Sequence, residues 1–379
     1  MKKVVLLFLC FFCFTQNVHG EEELAAHAQS AYLIEATTGK VLYDKNGEEK
    51  LFPASMTKMM SLILVYEALN NGSLKSEEIL SISTNAASMG GSQVFLQPNE
   101  QMSVRDLLKA VCISSANDAM VALAERISGS VSEFVARMNE KGSELNLVNT
   151  HFENTTGLHD ENHYSCAKDM ALIAKKLIEV GKEELLSITS TYDAYIREDS
   201  ANPFWLVNTN KLVKHVEGVD GLKTGFTQEA LSCITVTAKK DDLRLIGVVM
   251  KEPDSKTRNA EVMEMINVGF SKVIYQPIFK KNEVYQRHTF EVGLPHEVDL
   301  IYLNDVGVVL NKDEKVDVTS QIFTQTRFDL PLDAQEKIGE VRIIYDNQSE
   351  SIVDIGVAQS VSKMQFLDYF QMSFWRVLT

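Results

Sequence analysis

The sequence predicts an α+β protein, a larger part that mixes helices with an antiparallel sheet and then a small all-β part. Three observations carry this. Over 59–69, 104–113, 119–127, 131–141 and 165–179, apolar residues recur at helical spacing or fill runs free of Gly and Pro. Residues 232–238 alternate Cys233, Thr235 and Thr237 against Ile234, Val236 and Ala238. Asp241-Asp242 then supplies a turn and 243–250 returns as a second strand, which makes an antiparallel hairpin. After about Ile278, short β-like runs follow at 284–292, 297–303, 307–310, 314–319, 339–344 and 353–358, with no helix pattern between them.

The length of 379 residues suits two cores of unequal size, and 45% hydrophobic residues is ordinary for a folded chain. The net charge of −15, with no basic patch, excludes a nucleic-acid role. Met1-Lys2-Lys3, the apolar run 4–14 and the polar stretch ending at Gly20 read as an export signal over residues 1–20, cleaved after Gly20. Beyond it remain Cys112, Cys166 and Cys233, an odd and widely spaced set that reads as buried thiols rather than a disulfide framework.

Taken in order, residues 31–34 and 39–43 form a hairpin, and the polar loop 44–50 leads to Phe52-Pro53-Ala54-Ser55-Met56-Thr57-Lys58. Pro53 stands just before a helix start, and the run that follows is apolar on every side up to Gly72, so this helix is mostly buried. Ser55 and Lys58 are three apart and share a face of its first turn. A hydroxyl beside an amine, next to unpaired N–H groups at a helix start, suits a serine nucleophile activated by a neutral lysine. Ser-x-x-Lys alone is common, and a serine there is more often only a cap.

The helix over 103–113 runs into Ser115-Ala116-Asn117 at a corner before the next helix. There a hydroxyl can relay a proton, and an amide can hold a substrate amide or position Lys58. The segment 149–164 is irregular and polar and carries His151, His159 and His163. His159 and His163 have His-x-x-x-His spacing, but in loop-like text with no third ligand, so no metal site is read there. Residues 190–202 read as a loop or edge strand. Lys223-Thr224-Gly225 lies ahead of the late hairpin: Lys223 offers charge for a substrate carboxylate, Thr224 a hydroxyl, and Gly225 room for a substrate backbone. A helix over 257–270 closes this part.

In the tail, Phe366, Phe370, Phe374 and Val377 recur at i, i+4, i+8 and i+11, flanked by Lys363, Tyr369, Trp375 and Arg376. Residues 361–379 are therefore expected to form an amphipathic helix that lies along a membrane rather than crossing it. The competing expectation is a terminal helix docked on the β part.

Taken together and in this order, Ser55/Lys58, Ser115/Asn117 and Lys223/Gly225 resemble the penicillin-recognising serine hydrolases. The likeness is greatest to the low-molecular-weight penicillin-binding proteins that are D-alanyl-D-alanine carboxypeptidases. It extends to Asn154-Thr155-Thr156-Gly157-Leu158, His163-Tyr164-Ser165 and Val219-Asp220-Gly221-Leu222. The resemblance implies a β-lactamase-like catalytic domain over 21–277, with helices around a five-stranded antiparallel sheet, and a β-rich domain over 278–360. It implies a Ser55 nucleophile, Lys58 as general base, Ser115 as proton relay and Asn117 in positioning. Lys223, Thr224, Gly225, Thr227 and Arg258 would bind substrate, with Thr227 giving the strand N–H of an oxyanion hole and Arg258 helping to hold the terminal carboxylate. The partners implied are peptidoglycan pentapeptide stems, β-lactam antibiotics as covalent inhibitors, and the outer face of the cytoplasmic membrane. No metal or other cofactor is expected. Phe226, Asn208 and Cys166 depart from residues common in the family. A serine β-lactamase or related esterase, and a non-catalytic wall-binding protein, are the alternatives. Glu144-Leu145-Asn146 is too compact to match the glutamate-bearing loop of many β-lactamases.

Overall fold

A computed structural model of the chain describes residues 24–198, 200–325, 329–365 and 368. The expected export signal lies outside them, as does nearly all of the expected tail helix. Of that tail, Ser362 and Lys363 form a two-residue strand and Met364 N–H donates to Val292 O, so the chain is still docked on the β part there.

The first part opens with the hairpin β1 (Ser30–Glu35) and β2 (Val41–Lys45). A 3-10 turn over Ala54–Thr57 feeds α1 (Lys58–Asn70). Strands β3 (Ile79–Ser81) and β4 (Gln101–Ser103) pair around α2 (Thr84–Ala87). The helices α3 (Val104–Ser114), α4 (Asn117–Ser128), α5 (Val131–Glu144) and α6 (Ala167–Thr189) follow. Then come a small hairpin of β5 (Asp193–Ile196) and β6 (Phe204–Val207), and the short α7 (Leu212–His215). Strands β7 (Val219–Thr227), β8 (Leu231–Lys240) and β9 (Leu243–Glu252), with α8 (Ser255–Lys272), complete this part.

One antiparallel sheet, ordered β2-β1-β9-β8-β7, divides this part into two cores. On one face α1, α3, α4 and α6 pack with Ile246, Val248 and Met250 of β9. On the other, α8 and the segment around Ala28 pack against Leu245, Val249, Ile234 and Val236. The period of two in β8 and β9 is what serves both faces at once. Helix α1 sits in the middle of the larger core: Met59, Met60, Ile63 and Val65 are fully buried. A helix without a polar face has to be enclosed in this way.

The second part comprises β10 (Val273–Phe279), β11 (Val284–Thr289), β12 (Gly293–Leu294), β13 (Glu297–Tyr302), β14 (Val306–Asn311), β15 (Val318–Gln325), β16 (Lys337–Tyr345), β17 (Glu350–Val357) and β18 (Ser362–Lys363). Five of these form the sheet β11-β13-β17-β16-β15, with a core of their own around Leu300, Val341 and Ile355. Strand β10 was not expected. It starts where α8 stops and pairs with β14, so the chain enters the β part without a linker. Its sequence, Val273 to Phe279, carries Pro277 and alternates poorly, which hid it.

Residues 190–202 hold strand β5 of a two-stranded hairpin with loop on either side, in line with the expected loop or edge strand. Two other expectations are refined. Lys223-Thr224-Gly225 lies ahead of the late hairpin as expected, but inside a strand of its own, β7, the open edge of the main sheet. Helix α6 continues past 179 to Thr189 through a break at Lys182, whose φ of 48° and ψ of −145° leave the helical region. Gly181 beside it is what weakens the sequence signal.

Candidate active site

The site gathers where four pieces of chain meet: the turn before α1, the α3–α4 corner, the edge of β7, and the loop 154–157. Ser55 is half-buried within the 3-10 turn, and Lys58 is the first residue of α1. Their positions on one face bring Lys58 Nζ to 3.0 Å from Ser55 Oγ, and Nζ also donates to Thr156 O at 2.8 Å. Lys58 is fully buried. Burial first, and the nearby charge of Lys223 second, push its amine well below the usual lysine range, against the opposing pull of Asp118.

The loop that supplies Thr156 O is built by Asn154. Its Oδ1 accepts from Thr156 N–H at 3.1 Å and Gly157 N–H at 2.7 Å, which turns the carbonyls of Thr155 and Thr156 onto α1. Thr155 O accepts from Ser61 Oγ, one turn beyond Lys58. Gly157 is required twice over. Its φ is +83°, and a Cβ there would fall 1.8 Å from Ala54 O.

At the corner between α3 and α4, Ser115 takes a left-handed conformation (φ 62°), which turns its hydroxyl away from the path of either helix. Lys223 Nζ, also buried, donates to Ser115 Oγ at 2.8 Å and to Thr224 O at 3.1 Å. Burial and the Arg258 charge push the Lys223 amine down to about 7. Asn117 Nδ2 donates to Gly90 O at 2.6 Å, while its Oδ1 is buried with no protein partner among the described residues. That oxygen is free for a ligand N–H. Asn117 is not among the hydrogen-bond partners of Lys58, so the amine is placed by Ser55 and Thr156 instead. Asp118 accepts from Val94 and Leu96 N–H and so moors the 88–97 loop beside the site.

Strand β7 approaches the 3-10 turn that holds Ser55 very closely. A Cβ on Gly225 would lie 2.6 Å from Pro53 O and 3.3 Å from Ser55 N, so only glycine lets the strand reach the Ser55 backbone. Thr224 Oγ1 donates to Thr209 Oγ1 at 2.8 Å. Thr227 Oγ1 accepts from Ala230 N–H and closes the β7–β8 turn. Arg258 is buried in the first turn of α8. It donates to Asn259 Oδ1, and at 3.5 Å to the carbonyl of Cys233, the residue opposite Gly225 in the sheet.

Four of the residues expected from sequence thus form two Ser–Lys pairs, Ser55 with Lys58 and Ser115 with Lys223. The sequence reading found Asn154-Thr155-Thr156-Gly157 only as part of the resemblance and missed its role as the seat of Lys58; an Asx-turn residue three before a glycine was the available signal. The departing residues do structural work. Asn208 Nδ2 donates to Thr189 O and Thr191 O, and Cys166 caps α6 with its thiol, which burial pushes up to about 12. Phe226 is exposed beside Gly225. Glu144 turns to Lys141 at the exposed end of α5.

Comparison with known proteins gives the same answer along nearly the whole chain. Residues 16–254 match the family described as D-alanyl-D-alanine carboxypeptidase, and residues 275–363 match the penicillin-binding protein 5 C-terminal domain. The D-alanyl-D-alanine carboxypeptidase DacF of Bacillus subtilis is 42% identical over 92% of this chain and 90% of its own length. The crystal structure of penicillin-binding protein 5 from Haemophilus influenzae superposes with a TM-score of 0.69 at 30% identity, covering 90% of this chain and 98% of that one. Penicillin-binding protein D2 from Listeria monocytogenes, solved in an ampicillin-bound form, is 31% identical with a TM-score of 0.58 and covers 65% and 98%. With two Ser–Lys pairs beside a glycine-bearing edge strand, a family model over residues 16–254 and two of these relatives over nine-tenths of its length, the chain belongs to the D-alanyl-D-alanine carboxypeptidase family.

Proposed function

We propose that this enzyme removes the terminal D-alanine from peptidoglycan pentapeptide stems through an acyl-enzyme on Ser55. The observation that carries this is a half-buried serine hydroxyl 3.0 Å from a fully buried amine held below its usual range. A lowered amine gives up its proton more readily and so can accept one from a neighbouring hydroxyl. Lys58 takes the Ser55 proton as Oγ attacks the carbonyl between the two terminal D-alanines. The C–N bond then breaks as Ser115 gives its proton to the departing amine and takes in its place the proton that Lys58 had accepted; water then attacks the acyl carbonyl, Lys58 takes a proton from it, and that proton returns to Oγ as the shortened stem leaves. Lys223, still a cation below about 7, binds the terminal carboxylate with Thr224 and Arg258, and Asn117 Oδ1 accepts a stem N–H.

The developing oxyanion is met by Ser55 N–H and by an N–H on the edge of β7. The expected donor was Thr227. Thr224 O accepts from Lys223 Nζ, so backbone groups at 224 point off the open edge, and the alternation of a strand gives 226 the same direction. Thr227 faces β8 instead. Phe226 N–H is therefore the proposed donor.

A β-lactam carries the same carbonyl–nitrogen bond in a ring, so it acylates Ser55 and its leaving group stays attached. Intact mass after ampicillin treatment is expected to show one adduct on Ser55, and a D-Ala-D-Ala-terminated pentapeptide to release D-alanine. Rapid nitrocefin turnover with no D-alanine release would support a β-lactamase instead.

The enzyme works outside the cytoplasmic membrane and touches it peripherally. No helix among the described residues is long and apolar enough to cross a bilayer. The aromatic stripe in the sequence of 366–379 supports a lipid contact. Deleting 366–379, beyond the docked Met364, is expected to release the enzyme from membranes with activity on a soluble peptide unchanged. Retention in the membrane fraction would place the anchor elsewhere.

A further inference from the structure

Of the three histidines in the 149–164 loop, His163 is unlike the others. His151 and His159 face Glu153 and Glu161 near the surface, whereas His163 is buried. Both of its ring nitrogens are engaged. Glu153 N–H donates to Nδ1 at 3.1 Å, so Nδ1 carries no proton. The neutral ring therefore holds its proton on Nε2, which donates to Thr57 Oγ1 at 2.7 Å. Burial pushes the imidazole down to about 4. Asp160 pulls it the other way, while His151 and His159 add to the depression. Phe152 packs edge-on against the ring, and on the helix side it meets the uncharged Thr57 hydroxyl. The ring is therefore neutral at neutral pH.

Its two partners lead to the same atom. Thr57 precedes Lys58, and although it stands at the start of α1 its hydroxyl makes no capping bond in that helix. Glu153 precedes Asn154, whose carboxamide turns Thr156 O onto Lys58 Nζ. His163 therefore ties together the two pieces of chain that hold the amine from either side.

We propose that His163 is a positioning residue for Lys58, fixing through Thr57 Oγ1 and Glu153 N–H the dry seat in which the amine lies between Ser55 Oγ and Thr156 O. The inference rests on Lys58 being the base of the proposed reaction. Loosening this tie admits water to the seat. A hydrated ammonium is less costly than a buried one, so the amine regains protons at a higher pH. The signature is a displaced acid limb of the pH profile, which a purely structural residue would not produce.

The test uses the full chain and the rate of Ser55 acylation by a fluorescent penicillin from pH 4.5 to 9, with melting curves alongside. His163→Gln keeps a donor near the Nε2 position, and His163→Asn keeps only an acceptor near Nδ1. His163→Asn is expected to acylate roughly tenfold more slowly at neutral pH, with its acid limb moved up by about one pH unit. His163→Gln should stay near wild type. Thr57→Val should reproduce the Asn effect, and the double variant should be no worse than either single one. If His163→Asn lowers the melting temperature but leaves the limb in place, or if Gln and Asn behave alike, the proposal is overturned. Should His163→Asn not fold, an unshifted limb in Thr57→Val overturns it. A wild-type chain that never acylates at Ser55 would instead overturn the reading of the site.

Discussion

The cleft contains the same two side chains twice. Lys58 Nζ lies 3.0 Å from Ser55 Oγ, and Lys223 Nζ lies 2.8 Å from Ser115 Oγ. Both amines are buried, and both donate to a second, backbone acceptor. The difference lies in what surrounds each pair. Ser55 reaches the open cleft with β7 against its backbone, whereas Ser115 is 3% exposed in a left-handed corner. Lys58 has Lys223 beside it and falls well below its usual range; Lys223 has Arg258 as its cationic neighbour and comes down to about 7. Two ammonium groups so close and so dry do not both stay charged at neutral pH. Lys58, next to the open serine, is the amine proposed as the base, and Lys223, next to the closed serine, is the amine proposed to bind an anion; both are lowered chiefly by burial. Surroundings, rather than residue type, divide the labour.

Substitutions that treat the pairs alike test this division most harshly. Ser55→Ala is expected to remove both D-alanine release and the penicillin adduct in a protein that still folds, as read by intact mass. Ser115→Ala should still form the adduct, with acylation slowed roughly a hundredfold, because a lost proton relay is worth about that much. Lys58→Arg should fall with Ser55→Ala, since a guanidinium does not give up its proton near neutral pH. An adduct on Ser55→Ala, or equal loss in both serine variants, would break the comparison.

The pH profile separates the two amines. A depressed amine is free base above its pKa, so as pH falls through the Lys58 value the base is protonated and acylation slows. Lys223 is charged below about 7, so as pH rises through 7 it loses the charge that binds a carboxylate. kcat/KM for a free-carboxylate peptide is expected to fall on both sides, the alkaline fall lying near 7. The same peptide with its terminal carboxylate esterified should keep the acid limb and lose the alkaline one. If both substrates share both limbs, Lys223 is not the anion site. A bound carboxylate favours the lysine cation, so the alkaline fall in kcat should lie at higher pH than that in kcat/KM.

The two pairs were not equally legible in the sequence. Ser55 and Lys58 are three residues apart on one turn, so local periodicity was enough to place them face to face. Ser115 and Lys223 are 108 residues apart. Nothing local brings them together; only the resemblance of the motif order did. The central hairpin β8–β9 and helix α1 were legible because pattern and burial agree there. Strand β10 and the continuation of α6 were not, because Pro277 and Gly181 interrupt the pattern while tertiary pairing restores the element. The oxyanion donor, expected at Thr227 and proposed at Phe226, is hard to read for a related reason, since the direction of an edge N–H depends on register and not on residue type. The Lys58 seat was hidden because its working atom is a backbone carbonyl, which no side chain announces.

The smallest expected effect concerns Cys112, the third group in the Lys223 neighbourhood. As a thiolate beside Lys223 it would hold the amine charged and raise its pKa, opposing Arg258. Burial pushes the Cys112 thiol up to about 12, however, so it carries no charge where Lys223 titrates. With the thiol neutral, burial and Arg258 are the causes left, and both lower the lysine. Cys112→Ala removes a buried sulfur from the core around α3 and is expected to cost about 1 kcal/mol of stability in a denaturant titration. It should leave the alkaline limb of kcat/KM where it was. Arg258→Gln removes a real charge and should move that limb to higher pH while raising KM. A downward shift of the limb in Cys112→Ala would mean that the thiol ionises beside the lysine, and the second pair would then be a three-group system rather than the simple counterpart of the first.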